Sequence, residues 1–122
     1  MTCSISSFCP VPSQAVYSAS KAYVRFLSRA IAQECKNEGI HILAMCPGNM
    51  DTEMNPKGGS SQSAQVDKLP FLDMEIITKR SIVLAKKGRT VYTPGVFYKM
   101  YGLVSKLFPT SWMLKIVGRA YL

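Results

Sequence analysis

The chain of 122 residues is poor in acidic residues and in histidine, and it has no long apolar run. It carries 7 aspartates and glutamates against 15 lysines and arginines, and its formal net charge is +8. No apolar run approaches the roughly eighteen residues that a membrane-spanning helix needs. The start of the chain also lacks the basic stretch followed by an apolar one that marks a secretory signal. We therefore expect neither a membrane span nor a secretory signal.

The cysteines and the single histidine do not form a recognisable metal or redox motif. Cys3, Cys9, Cys35 and Cys46 have no CxxC spacing, so neither a zinc site nor a redox pair is predicted. Reduced thiols fit a cytoplasmic compartment best. His41 begins an apolar segment, and we interpret it as a strand-edge residue with a satisfied side chain and not as a catalytic base.

The net positive charge comes from the second half of the chain, because the charges of the first half cancel. Residues 1–56 carry four basic and four acidic residues, whereas residues 57–122 carry eleven basic and three acidic ones. Either another part of the protein balances this charge, or the surface meets anionic lipid, an acyl carrier or phosphate. Nucleic acid is not expected as a partner, because no recognition helix or aromatic-rich sheet accompanies the charge.

Tyr17 and Lys21 lie four residues apart in a segment of helical periodicity, so their side chains leave the same helix face. A phenol in water loses its proton only near pH 10, and it is a poor proton carrier at neutral pH unless a nearby positive charge stabilises the phenolate. The ammonium of Lys21 is placed to supply that charge. The pair is therefore predicted to act as an acid/base in proton transfer.

A serine precedes this pair by thirteen residues, at Ser4. The segment 2–8 is rich in serine and isoleucine and ends before Pro10, which predicts the end of a buried strand. Because parallel sheets bind ligands at the carboxyl ends of their strands, the Ser4 hydroxyl could donate to a substrate carbonyl. Ser6 and Ser7 are the competing candidates, and we interpret them as loop and packing serines.

Three segments together resemble the short-chain dehydrogenase/reductase family in order and spacing. They are SISS at 4–7, YSASK at 17–21 and CPGNMDT at 46–52. The resemblance implies an α/β fold with a Rossmann-like, doubly wound parallel sheet, and hydride transfer between NAD or NADP and a carbonyl/alcohol pair. It also implies catalytic roles for Ser4, Tyr17 and Lys21.

The same resemblance implies where the nicotinamide cofactor is held. Lys21, with Tyr17 beside it, would contact the ribose hydroxyls. The backbone after Pro47 and Gly48 would reach the nicotinamide carboxamide, with Met50 contributing backbone groups and Thr52 its hydroxyl. No metal ligand is implied.

Part of the family pattern is missing from this chain. The glycine-rich turn that seats the pyrophosphate has no counterpart, because Gly58 and Gly59 lie in a polar loop with no strand before them. The helix-borne asparagine that precedes the serine in the family is missing as well. We therefore interpret the chain as the C-terminal half of a Rossmann-like domain and expect it to be inactive alone. The choice between NAD and NADP stays open, because the residues that read the ribose 2′ position belong to the other half.

The periodicity of the sequence predicts the remaining elements. A long amphipathic helix is expected at 14–37 with Gly39 as its stop, and its Arg25, Arg29 and Glu34 are expected on a solvated or interfacial side. In the family this helix commonly forms a subunit interface, so a homo-oligomer is expected.

The rest of the catalytic part, residues 1–95, divides into strands, a loop and a second helix. The predicted elements are a buried strand at 40–46, a substrate lid loop at 51–72, a helix at 74–87 capped by Asp73, and a strand at 90–93.

Residues 96–122 form an apolar tail with isolated basic residues, broken at Pro109. Two interpretations stay open for it: a docked lid over the substrate pocket, or an amphipathic helix at a membrane surface. Residues 108–115 resemble the branch that contains hydroxysteroid dehydrogenases and long-chain 3-oxoacyl-coenzyme A reductases, which favours a lipid-like substrate. Two alternative functions also stay open: a non-catalytic remnant that associates with a full-length relative, and a peripheral membrane module.

Overall fold

The structure, a computed structural model, describes residues 1–50 and 70–121. Within these ranges three parallel segments lie side by side. Strand β1 (Ala44–Met45) is central and pairs in parallel with strand β2 (Val91–Tyr92). On its other side Met45 forms a parallel bridge with Thr2. Together with the helices described below, this arrangement confirms the predicted α/β class and its parallel sheet.

Hydrogen bonds of the parallel type continue beyond the two short strands. The N–H of Cys3 donates to the carbonyl of Met45 at 2.7 Å, and the N–H of Ile5 donates to the carbonyl of Pro47 at 3.0 Å. On the β2 side the ladder begins at Ala44, whose N–H donates to the Thr90 carbonyl at 2.9 Å, and on the other side the N-terminal ammonium of Met1 donates to the Leu43 carbonyl at 2.7 Å.

This starting point limits the strand that was predicted at 40–46. Residues 40–43 lie outside the assigned strand, and His41 is exposed. The interpretation of His41 as a strand-edge residue is therefore wrong. The physical reason is that β1 pairs with β2 only from Ala44 onward, three residues after His41.

The crossover between the first segment and β1 is helix α1 (Ala15–Glu34). A 3-10 turn at Lys36–Glu38 follows it, and Gly39 then takes a left-handed conformation with φ of 72°. That conformation costs a glycine little, because it has no Cβ. The predicted helix and its stop are confirmed, although the α-helical part ends three residues before the predicted end.

The buried side of helix α1 consists mainly of small residues. Ser18, Ser28 and Ala32 are buried, and Val24 packs against the cluster of Cys3, Ala44 and Cys46, whereas Val16 is 84% and Phe26 is 67% exposed. Small side chains let this part of the helix backbone lie close to the sheet.

Arg25 is one consequence of this packing. Its guanidinium lies 4.4 Å from the centre of the Phe8 ring, and burial lowers its pKa. Arg25 is therefore half-buried and lies only partly on the solvated side that was expected, whereas Arg29 and Glu34 are exposed as expected.

Helix α2 (Met74–Lys86) connects β1 to β2. The Asp73 carboxylate accepts from the N–H groups of Glu75 and Ile76 at 2.9 and 3.1 Å, which confirms the predicted cap. The predicted lid loop at 51–72 lies outside the described residues except for its last three positions.

The tail forms two helices, α3 (Val96–Leu107) and α4 (Thr110–Tyr121), separated at Pro109 as predicted. Met113 and Val117 of α4 pack against Cys9 and Val11, which precede α1. The tail therefore docks on the loop that leads into the Tyr17 helix. None of the helices in the described part is long and apolar enough to cross a membrane.

Three of the four thiols are buried, and all four are free. Cys3 and Cys46 lie with Ala44 in a cluster beneath α1, and Cys9 lies under α4. Burial raises the pKa of Cys3 and of Cys9, and it raises the pKa of Cys46 to about 12. Among the described residues, no group of three potential metal ligands is placed to hold an ion.

These environments predict that a single thiol reacts quickly with a disulfide reagent. At pH 8 a thiol with a pKa of about 12 is ionised to only about one part in 10⁴, and the thiolate is the reactive form. Cys35, which is only half-buried, should react first in the native protein. Timed titration with Ellman's reagent should show one fast thiol and three that are at least about tenfold slower. Cys35→Ser should remove the fast phase; a fast phase that survives it would contradict the assignment.

Candidate active site

Ser4 lies at the carboxyl end of the first parallel segment, where its backbone is extended. A 3-10 turn (Ile5–Ser7) follows directly, so the extended segment ends at Ser4, as the sequence predicted. The Ser4 Oγ accepts from the N–H of Ser6 at 3.2 Å and lies 3.4 Å from the Ser6 Oγ. Its hydroxyl is half-buried, at the sheet edge where parallel folds bind ligands.

The two competing serines are less accessible than Ser4. Ser6 is 9% and Ser7 is 3% exposed. The Ser7 hydroxyl faces the thiol of Cys46 at 3.9 Å. Their burial agrees with the interpretation of both as packing residues.

Tyr17 and Lys21 lie one turn apart in the first half of α1. The Lys21 Nζ is 5.6 Å from the centre of the Tyr17 ring, and Tyr17 is 41% exposed. The same Nζ donates to the carbonyl of Thr2 at 3.3 Å. Lys21 therefore connects the helix that carries Tyr17 to the segment that ends at Ser4. In the described ranges no hydrogen bond joins Ser4 to Tyr17 directly.

Pro47 and Gly48 follow β1 at the same edge of the sheet. The Pro47 carbonyl accepts from Ile5, one residue after Ser4, so the two segment ends are held together. Met50 forms a parallel bridge with Leu72. Thr52 lies outside the described residues. The structure thus brings Ser4, Pro47 and Gly48 to one edge.

Gly48 lies beneath an aromatic ring that the sequence did not single out. A Cβ at this position would overlap the ring of Tyr98, which is fully buried. The Tyr98 hydroxyl donates to the Pro70 carbonyl at 2.8 Å and accepts from the N–H of Asn49 at 3.2 Å. The close approach that requires a glycine here is therefore made by Tyr98 of α3. Burial raises the pKa of this phenol, so it stays protonated and able to donate.

The end of α4 also lies close to the Tyr17 phenol. Burial raises the pKa of Tyr121, and the neighbouring phenols of Tyr17 and Tyr98 raise it further. Tyr121 also packs against the buried cluster of Cys9, Val11, Met113 and Val117. In the sequence, the only indication that the tail contributes here was the aromatic content of its apolar helices.

The first half of the chain matches a known protein family. Residues 1–63, just over half of the chain, match the family described as short chain dehydrogenase. The chain belongs to this family.

Two curated relatives extend the comparison. The mouse very-long-chain 3-oxoacyl-CoA reductase is 30% identical over 118 residues, which cover 93% of this chain and 34% of that protein. The uncharacterized oxidoreductase YghA of Escherichia coli K12 is 31% identical over 80 residues, which cover 66% of this chain and 26% of that protein. The chain therefore spans about a third or less of the length of either relative. No solved structure matches it significantly.

The contact between Tyr98 and Gly48 predicts a specific instability. Gly48→Ala should lower the free energy of unfolding by about 1–3 kcal/mol, because the added methyl overlaps a buried ring. Gly102→Ala in α3 is the matched control. Its added Cβ would lie 3.5 Å from the Phe8 ring, which is an ordinary van der Waals distance, so no overlap destabilises this variant. Urea unfolding measures both.

A double-mutant cycle isolates the contact. In a Tyr98→Ala background the space over Gly48 opens, so Gly48→Ala should cost much less than it does in the wild type. An equal cost in both backgrounds would show that Tyr98 is not the cause.

Proposed function

We propose that this chain contributes the proton-transfer site of an oxidoreductase that moves a hydride between NAD or NADP and a carbonyl/alcohol pair. The observation that carries the proposal is the double contact of Lys21, with the Tyr17 ring and with the Thr2 carbonyl. This double contact holds the Lys21 ammonium beside the solvent-accessible phenol of Tyr17 and next to the segment that ends at Ser4. Membership of the short-chain dehydrogenase family supports the same chemistry.

In this proposal the three side chains divide the work. Tyr17 gives its proton to the substrate oxygen during reduction and takes it back during oxidation. The Lys21 ammonium stabilises the phenolate that Tyr17 becomes. Ser4 donates a hydrogen bond to the same substrate oxygen, once its contact with Ser6 is exchanged for the substrate.

The residues present fit the ribose end of a nicotinamide cofactor better than the carboxamide end. Lys21 still has donors to offer, because the Thr2 carbonyl takes only one of its three hydrogens. At the other end, the Tyr98 ring covers Gly48 and the Tyr98 hydroxyl engages Asn49, so direct contact at these two positions is blocked. Met50 and Thr52 are then the residues that would hold the carboxamide. The cofactor supplies or accepts the hydride.

A lipid-like substrate, an acyl chain or a steroid, is the second part of the proposal. The mouse relative is named a very-long-chain 3-oxoacyl-CoA reductase, and the match to it covers nearly the whole chain, including the tail. The docked helices α3 and α4 bring apolar side chains next to the loop before α1. These helices would line an apolar substrate channel.

A substitution of the phenol tests the proton carrier. In a chimera that places this chain after the preceding part of YghA, Tyr17→Phe should lower the rate of NAD(P)H oxidation by a 3-oxoacyl-CoA about 10²- to 10⁴-fold, since it keeps the ring and loses the proton. Cofactor binding should change little. Tyr23→Phe, an exposed phenol on the same helix, is the control and should keep full activity. Near-full activity of Tyr17→Phe would refute the role and favour the alternative of a non-catalytic remnant.

Lys21→Ala should have a different effect from Tyr17→Phe. It removes the charge that stabilises the phenolate and a contact to the ribose, so it should weaken cofactor binding and slow turnover. Lys36→Ala, an exposed lysine after α1, serves as the charge control. An unchanged cofactor affinity together with unchanged turnover would exclude this role.

A second candidate function follows from the outer face of α3. Val96, Met100, Leu103 and Leu107 recur at helical spacing, and they are 58–75% exposed. Lys99 and Lys106 flank this apolar stripe, and residues 76–122 contain nine basic and no acidic residues. We propose that the stripe lies against an anionic lipid surface, as amphipathic interfacial helices do.

Vesicle binding tests the lipid contact. Met100→Gln combined with Leu107→Gln should weaken co-sedimentation with phosphatidylcholine vesicles containing phosphatidylserine at least about tenfold, because each side chain loses about 2 kcal/mol of apolar burial. Ile82→Gln combined with Val83→Gln changes two exposed apolar residues of α2 and should have little effect. Equal losses in the two double variants would show that the stripe is not the lipid surface.

The exposed large residues of α1 support the expected self-association. Val16, Tyr23 and Phe26 are 84%, 66% and 67% exposed. A second copy that packs α1 against α1 would remove these side chains from water. We therefore propose α1 as the homo-oligomer interface of the longer protein.

A further inference from the structure

A groove lined by cations runs between α1, β2 and α3. It consists of two adjoining cavities of about 320 and 420 Å³, which share Phe8, Arg89, Val91 and Lys106 as lining residues. We name the two cavities together the basic groove. Its size is within the range of small-molecule sites, but those sites are mostly apolar.

The basic groove gathers six cationic side chains from four parts of the fold. Arg89 and Lys106 line both cavities. The first cavity is also lined by two arginines of α1, and the second by one cationic residue each from α2 and α3. The six are Arg25, Arg29, Arg80, Arg89, Lys99 and Lys106. No carboxylate lines either cavity, and the single ion pair of the described ranges, Lys79 with Glu75, does not involve the groove. The charge is thus concentrated without a counter-charge from the described side chains.

Arg25 is the most constrained of the six. Its guanidinium lies between two rings, 4.4 Å from the centre of Phe8 and 5.3 Å from that of Phe26. Its Nε is buried and has no hydrogen-bond partner among the described residues. Buried polar atoms are rarely left without a partner. Burial lowers the pKa of Arg25; Cys46 and Cys3 act against this shift, whereas the charge of Arg29 adds to it.

The chemistry of this lining selects one class of ligand. A guanidinium presents a planar fork of donors that matches the oxygens of phosphate, and lysine adds a point charge. Two adjoining cavities, each with at least two cations, can take more than one phosphoryl group. We propose that the basic groove binds the phosphate groups of a diphosphate or a phosphomonoester. The proposal rests on the groove itself and does not depend on the proposed hydride transfer.

Direct binding to the full 122-residue chain tests this assignment. The probe is inorganic pyrophosphate, and isothermal titration calorimetry at low ionic strength should show saturable binding to one site. Arg25→Gln and Arg89→Gln should each weaken binding about tenfold or more, because each removes a charge-assisted contact. Higher salt should weaken wild-type binding more steeply than variant binding.

Matched variants separate a site from general attraction to a basic protein. Lys36→Gln and Lys115→Gln remove the same charge outside the groove and should change affinity less than about twofold. Arg89 is exposed, so its variant keeps the test valid if Arg25→Gln fails to fold. No saturable binding of pyrophosphate, or equal losses in groove and control variants, would overturn the proposal.

Two soluble ligands distinguish the sources of the phosphate. Coenzyme A carries a diphosphate and a phosphomonoester, and inositol 1,4,5-trisphosphate carries the phosphates of a lipid headgroup. If coenzyme A binds more tightly and its binding depends on Arg25 and Arg89, the natural ligand is an acyl carrier. If the trisphosphate binds more tightly with the same dependence, the natural ligand is a lipid headgroup. Binding of both without dependence on either arginine would contradict the site.

Discussion

The hydrogen-bond ladder between residues 1–5 and residues 43–47 is the constraint on which the candidate site depends. Its parallel direction sends Ser4 and Pro47 to the same end of the sheet, and α1 is the crossover that the direction requires. Once α1 lies on the sheet, Lys21 reaches the Thr2 carbonyl and Tyr17 stays beside it. A change of register by one residue would turn Ser4 to the other face of the sheet and separate it from this pair.

The tail contributes to the site through one ring. Tyr98 fills the space over Gly48 and links Asn49 to Pro70 through its hydroxyl. It thereby holds the segment after β1 against α3, so the tail and the sheet edge are one packed unit. The same glycine that a cofactor contact would require is thus also required by packing. A glycine at this position can be explained by the close approach of a cofactor or by packing under a ring. The atoms that surround it in the structure distinguish the two explanations.

Charge and apolar surface are placed on different sides of the tail. The inner faces of α3 and α4 pack on Cys9 and Val11, while Leu103 and Leu107 of α3 point outward. Lys106 lies between these surfaces and lines the basic groove. Acidic residues are absent after Glu75, so all the charged side chains of residues 76–122 are basic.

The sequence by itself determined the local elements and the one-turn spacing of Tyr17 and Lys21, because helical spacing, the Asp73 cap, Gly39 and Pro109 act within a few residues of the chain. The parallel class of the sheet was predicted from the resemblance of three segments to a family, and the apolar run at 40–46 agreed with it. Only the tertiary structure decided which face of α1 is buried, since both faces carry apolar residues and the small ones pack closer. For the same reason it alone placed Arg25 against Phe8 and Tyr98 over Gly48. Contacts between residues so far apart in the chain leave no periodic signal in the sequence.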